Sequence, residues 1–74
     1  MINSYKYKIQ KLIERKSLLK KKIWQYEQIK KSTTNPVAKA ETDEKIDAAA
    51  MSLQDVLITI ESYYAEMNVV AEGI

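Results

Sequence analysis

A chain of 74 residues, 46% hydrophobic and 30% charged, is long enough for one domain and too short for two separate cores. It contains no cysteine and no histidine, which excludes disulfides, thiolate nucleophiles, the usual zinc sites and the commonest general base. The net charge of +2 divides unevenly, because residues 1–31 carry ten bases and two acids (+8) whereas residues 32–74 carry eight acids and two bases (−6). The two parts therefore suit each other electrostatically.

The first predicted element is a helix over residues 3–31, which contain neither glycine nor proline. Its seam positions alternate in steps of three and four, as in a coiled coil. They are Ile2, Tyr5, Ile9, Leu12, Lys16, Leu19, Ile23, Tyr26 and Lys30. We interpret Lys16 as a core lysine that reaches out to solvent and helps to fix the register.

The stretch STTNP predicts a turn over residues 32–35. Asn35 is suited to cap a helix whose first residue is Pro36. A second helix is therefore expected over residues 36–71.

The second helix repeats the same steps without a polar interruption. Its seam is Ile46, Ala49, Leu53, Val56, Ile60, Tyr63, Met67 and Val70, and Ala50, Leu57, Tyr64 and Ala71 widen the stripe. If the two helices run antiparallel, seam residues of one helix face seam residues of the other when the two residue numbers in each pair sum to 72. The midpoint of every such pair is residue 36, which places the bend at Pro36. The fold class predicted is all-α: one antiparallel two-helix hairpin domain, coiled-coil-like, over residues 1–74.

The wider stripe of the second helix exceeds what one partner helix covers, so part of it should remain exposed in a lone hairpin. We expect a second copy to cover it, giving a homodimeric four-helix bundle. The candidate dimer-interface residues are Ile13, Ala50, Leu57 and Tyr64.

Further apolar residues lie off the seam. Tyr7, Leu18 and Ile29 recur every eleven residues on the outer face of the first helix and are candidate partner-binding residues. Met51, Ile58 and Val69 lie on the outer face of the second helix. Trp24, on the flank of the first helix, allows two interpretations: an anchor for a foreign protein, or a cover for the flank of the protein's own dimer.

Three lysines in a row, Lys20, Lys21 and Lys22, also allow more than one interpretation. With nearby aromatic residues they could contact nucleic acid, although only Arg15 offers bidentate contacts. A solvated helix face that steers the protein towards an acidic partner surface is the preferred interpretation. Membrane insertion is not expected, because the apolar face is needed by the second helix.

We interpret Glu41, Asp43, Glu44 and Asp47 as favourable charge near a helix start, since the metal-ligand case is thin without histidine. No catalytic, cofactor or metal site is expected. Hairpins of this size occur among secreted helical pairs, bacteriocin immunity proteins and mobile-element regulators, and no motif selects among them. The sequence predicts a cytoplasmic, non-enzymatic interaction module: an adaptor, inhibitor or regulator that binds a larger protein. A nucleic-acid-binding accessory factor and a structural scaffold hairpin remain alternatives.

Overall fold

The protein is a helical hairpin. A computed structural model describes the backbone of residues 2–72 and the side chains of residues 3–69. Helix α1 spans Ile2–Ser32, residues 33–35 connect, and helix α2 spans Pro36–Glu72. The predicted hairpin is confirmed, and the helix ends lie within one residue of the predicted bounds.

Turn chemistry explains where the helices stop and start. Ser32 belongs to α1 rather than to the turn, and its hydroxyl donates to the carbonyls of Gln28 and Ile29 at 3.0 and 3.1 Å. The Asn35 side-chain oxygen accepts the backbone N–H of Val37 at 2.9 Å, as an N-cap residue does. Pro36 occupies the first helical position, so both sequence signals for the start of α2 are confirmed.

The core is the seam between the two helices. Ile9, Ala49 and Val56 are buried, with 4%, 9% and 5% of their surface exposed. The other predicted seam residues from Tyr5 to Tyr26 and from Ile46 to Met67 are half-buried, including Lys16. Lys30 is the exception, because its side chain is exposed. The steps of three and four therefore identify the packed face of both helices.

Contacts between the helices fix the antiparallel register. The rings of Tyr5 and Tyr63 lie 6.1 Å apart, and the Lys45 ammonium lies 6.0 Å from the ring centroid of Tyr26. The residue numbers of these pairs sum to 68 and 71, close to the predicted 72. The predicted pairing of Ile2 with Val70 and the widening of the stripe at Ala71 concern side chains outside the described residues.

Two details differ from the sequence-based expectation. The seam extends toward the turn through Thr42, which is 7% exposed and whose hydroxyl donates to the Ala38 carbonyl at 2.7 Å. The predicted register brings Lys8 close to Glu66, but the two side chains form no ion pair: the Lys8 ammonium lies over the Tyr63 ring, 5.6 Å from its centroid. The tyrosine face competes successfully because an exposed ion pair contributes only about 0–1 kcal/mol.

The hairpin is a thin rod with Cα extents of 59 × 14 × 12 Å. Its radius of gyration is 17.0 Å, against about 11 Å for a compact domain of this length. Two layers of helix leave every residue near the surface. Within the described residues, neither helix has a stretch long and apolar enough to cross a bilayer.

Candidate interaction surfaces

The seam has two edges, formed by different heptad positions. Each heptad has two seam positions. In an antiparallel pair of helices, the residues that come directly after the second of these positions lie along the same edge of the seam. Glu27 and Asp43 are two such residues, and both line an open cleft of about 390 Å³ beside the turn. Farther from the turn, α1 has Lys6, Ile13 and Lys20 at these positions, whereas α2 has apolar residues there. We call the apolar members the apolar edge: Ile13, Ala50, Leu57 and Tyr64.

Every member of the apolar edge is exposed in the single hairpin. Ile13, Leu57 and Tyr64 are 43%, 39% and 44% exposed, and Ala50 is also exposed. Ala50, Leu57 and Tyr64 are therefore exposed in the hairpin, as expected of a stripe wider than one partner helix covers, and their place in a dimer interface stays a prediction. Their intermediate values mean that each side chain is partly packed in the hairpin and still has apolar surface to bury.

The opposite edge is polar. Lys8 and Lys45 each place an ammonium over a seam tyrosine there, and the Thr59 hydroxyl donates to the Asp55 carbonyl at 2.8 Å. Ile29 is its one large apolar member among the described residues; the others are Lys8, Arg15, Lys22, Lys45, Ser52, Thr59 and Glu66. The polar groups of these side chains are well solvated by water. We therefore expect an apolar partner to bind the other edge.

Trp24 lies on the flank of the apolar edge. It is eleven residues after Ile13, three turns of helix, so the two side chains leave α1 within about 20° of each other. Its 60% exposure means that the indole is not covered within the hairpin. The interpretation as a cover for a self-association flank and the interpretation as a foreign anchor both remain.

A second apolar surface runs along the outside of α1. Tyr7, Leu18 and Ile29 are all more than half exposed, and we call them the outer stripe. Leu18 and Trp24 are six residues apart and therefore point about 120° away from each other. The candidate partner-binding residues thus form two surfaces rather than one.

The lysine triplet is divided between these surfaces. Lys21 and Lys22 follow Leu18 by three and four residues, so they flank the outer stripe. Lys20 follows Ile13 by seven residues and lies on the apolar edge side. All three are exposed. The basic run is therefore not one continuous patch.

The outer face of α2 also carries exposed apolar residues. Met51, Ile58 and Val69 are exposed as predicted, and Val37 joins them at 65% exposure. Val37 lies fourteen residues before Met51, in phase with it and with Ile58. The seven-residue spacing would have identified it, but the sequence interpretation began the apolar pattern of α2 at Ile46.

Opposite charges meet beside the turn. The Lys30 ammonium donates to the Asp43 carboxylate at 2.6 Å, and this hydrogen bond and charge raise the pKa of Lys30 above its usual 10.5. The first turn of α2 holds no acidic residue, so the helix dipole explains Asp43 less well than this pairing does. Among the described residues no group of three or more acidic side chains could hold a metal ion.

The hairpin exposes more surface than its size requires. Its accessible area is 5760 Å², whereas a folded monomer of 8.6 kDa is expected to expose about 4,700 Å². The difference, about 1,000 Å², is close to what one partner buries in a standard protein–protein interface.

Protein-family models, curated proteins and solved structures give no match to this sequence. Function is therefore inferred from the surfaces described above.

Proposed function

We propose that this chain is a non-enzymatic protein–protein interaction module, a small adaptor, inhibitor or regulator. It pairs with a second copy through the apolar edge, giving a four-helix bundle, and presents the outer stripe of α1 to a larger protein. A rod only 14 × 12 Å in cross-section supports the non-enzymatic assignment, because it leaves little room to enclose a substrate.

The observation that carries the proposal is the surplus of exposed apolar surface. Eleven large apolar side chains are exposed among the described residues, whereas the buried apolar residues are Ile9, Ala49 and Val56. A 74-residue chain with so small a core is marginally stable on its own. Burial of the apolar edge by a second copy would add apolar contact where the hairpin most lacks it.

The outer stripe fits recognition of a helix face by a groove. Its apolar members give contact area, and Lys21 and Lys22 on its sides favour a groove whose rim is acidic. Because the outer stripe and the apolar edge point in different directions, a self-paired bundle keeps the outer stripe free. Pairing and partner binding are therefore compatible.

Self-pairing is tested by sedimentation equilibrium with two neighbouring substitutions. Leu57→Asn alters the apolar edge, whereas Ile58→Asn alters a residue that is also exposed, at 53% against 39%, and points outward. We expect wild type and Ile58→Asn to have twice the 8.6 kDa mass of one chain at tens of micromolar, and Leu57→Asn to dissociate. A wild-type monomer at that concentration would contradict the pairing.

Partner binding is tested by capture from nuclease-treated native lysate, with Leu18→Ala and a matched control, Met51→Ala. These residues are similarly exposed, at 62% and 69%, but lie on different helices. We expect one stoichiometric protein that Leu18→Ala loses and Met51→Ala retains. A different outcome would contradict the protein-partner proposal: no protein is captured from the nuclease-treated lysate, and nucleic acid is captured from untreated lysate with binding that falls steeply as salt increases. The basic face of α1 would then be the binding surface.

A further inference from the structure

The side of the rod that carries the apolar edge is long enough for a second copy: the apolar members lie from the level of Tyr64 to that of Ala50, and Glu27 and Asp43 continue the same side beside the turn. One face of the rod measures 59 by 14 Å, about 800 Å², which is the area that each partner buries in a standard interface. This value also agrees with the surplus accessible surface of the chain. The length of the rod, rather than any single pocket, supplies the contact area.

Two twofold arrangements place one apolar edge on another. In the first, the axis runs along the bundle, both turns lie at the same end, and each α1 packs on α2 of the second copy. In the second, the axis crosses the bundle, the turns lie at opposite ends, and each helix packs on its own counterpart. Apolar burial alone does not distinguish them.

Charge distinguishes them. Residues 1–31 carry a net charge of +8 and residues 32–74 a net charge of −6. The first arrangement alternates basic and acidic helices around the bundle, whereas the second sets α1 on α1 and α2 on α2, with like charges repelling along both. We infer that the two copies pair with their turns at the same end, an arrangement that rests on the self-pairing in the proposed function.

This arrangement also gives Trp24 a place. Residues at the same height in the hairpin have numbers that sum to about 72, and an axis along the bundle keeps the second copy at that height. Ile13 then lies two residues from the level of Leu57 in the second copy, and Trp24 two residues from the level of Ala50, an offset of about 3 Å in both cases. Trp24, the large side chain on the flank of the apolar edge, then lies beside Ala50, the smallest member of that edge, as interdigitated packing requires.

The test is a distance between spin labels in the paired full-length chain. Because the sequence has no cysteine, Thr34→Cys in the turn gives one label per chain. With turns together, helices about 10 Å apart place the two labels within about 30 Å, including their linkers. With turns at opposite ends, the separation approaches the 59 Å length of the rod.

A second labelling site separates the outcomes. Asn68 is exposed at the other end of the rod, so in a mixture of Thr34→Cys and Asn68→Cys chains the mixed dimers add a component, absent from either labelled chain alone, that reports the opposite distance. A short Thr34–Thr34 distance with a long Thr34–Asn68 distance supports the inference. The reverse pattern overturns the arrangement and leaves self-pairing intact. A mass of 8.6 kDa without intermolecular coupling overturns both.

Discussion

Two isoleucines on α1, one turn apart, allow core and edge to be compared with the same substitution. Ile9 is 4% exposed and Ile13 is 43% exposed. Ile9→Ala removes a buried side chain and should lower the free energy of unfolding by about 3 kcal/mol. Ile13→Ala removes a partly covered one and gains some helix propensity, so its cost in the single hairpin should be about 1 kcal/mol.

Concentration separates the two roles. Each variant is unfolded in urea, followed by far-ultraviolet circular dichroism, from about one to one hundred micromolar protein. The deficit of Ile9→Ala should stay nearly constant. The deficit of Ile13→Ala should grow with concentration, because the proposed dimer would bury the 43% of that residue that is exposed in the hairpin, worth about 1 kcal/mol per copy. Equal deficits at the lowest concentration, or a deficit of Ile13→Ala independent of concentration, would refute the division into core and apolar edge.

Other substitutions probe the cap, the ion pair and the tryptophan. Asn35→Ala should cost about 1 kcal/mol of stability in the same urea assay through loss of the 2.9 Å cap, and a loss below about 0.3 kcal/mol would contradict it. Asp43→Asn should lower the pKa of Lys30 towards 10.5, as measured by titration of the Lys30 side-chain carbon resonance, and an unchanged pKa would refute the pairing. Any stability that the pair contributes is complete below pH 10.5 and is lost as the pH rises through the pKa of Lys30. Trp24→Ala should weaken self-association about 10-fold or more while the equally exposed Leu18→Ala leaves it unchanged, and the reverse result would assign Trp24 to a foreign partner.

The hairpin could be predicted because its signals are local and agree with one another. Asn35 followed by Pro36 marks a helix start by backbone chemistry alone, and the observed cap uses those two residues. The seam depends only on the spacing of apolar residues, and burial of Ile9 and Val56 follows from it. Periodicity and turn chemistry needed no knowledge of neighbouring side chains.

The remaining details depend on which hydrogen-bond and packing partners individual side chains find in the folded hairpin. Thr42 was missed because a hydroxyl at a seam position looks polar in the sequence, whereas its bond to the Ala38 carbonyl removes the cost of burial. Lys8 prefers the face of Tyr63 to Glu66, a choice between weak interactions that spacing does not decide. Apolar spacing indicated that part of the stripe of α2 would be exposed, and the expectation that a second copy covers it stays a prediction.

The turn also determines the order in which the hairpin closes. Contacts near it, such as Tyr26 with Lys45, join residues 19 apart, whereas Tyr5 and Tyr63 at the far end are 58 apart. Closing the longer loop directly costs about 1 kcal/mol more in chain entropy, so folding should start beside the turn and add seam layers outwards. Substitutions near Tyr26 should therefore slow folding, and substitutions of Tyr63 should speed unfolding, so the two ends of one seam control opposite rates.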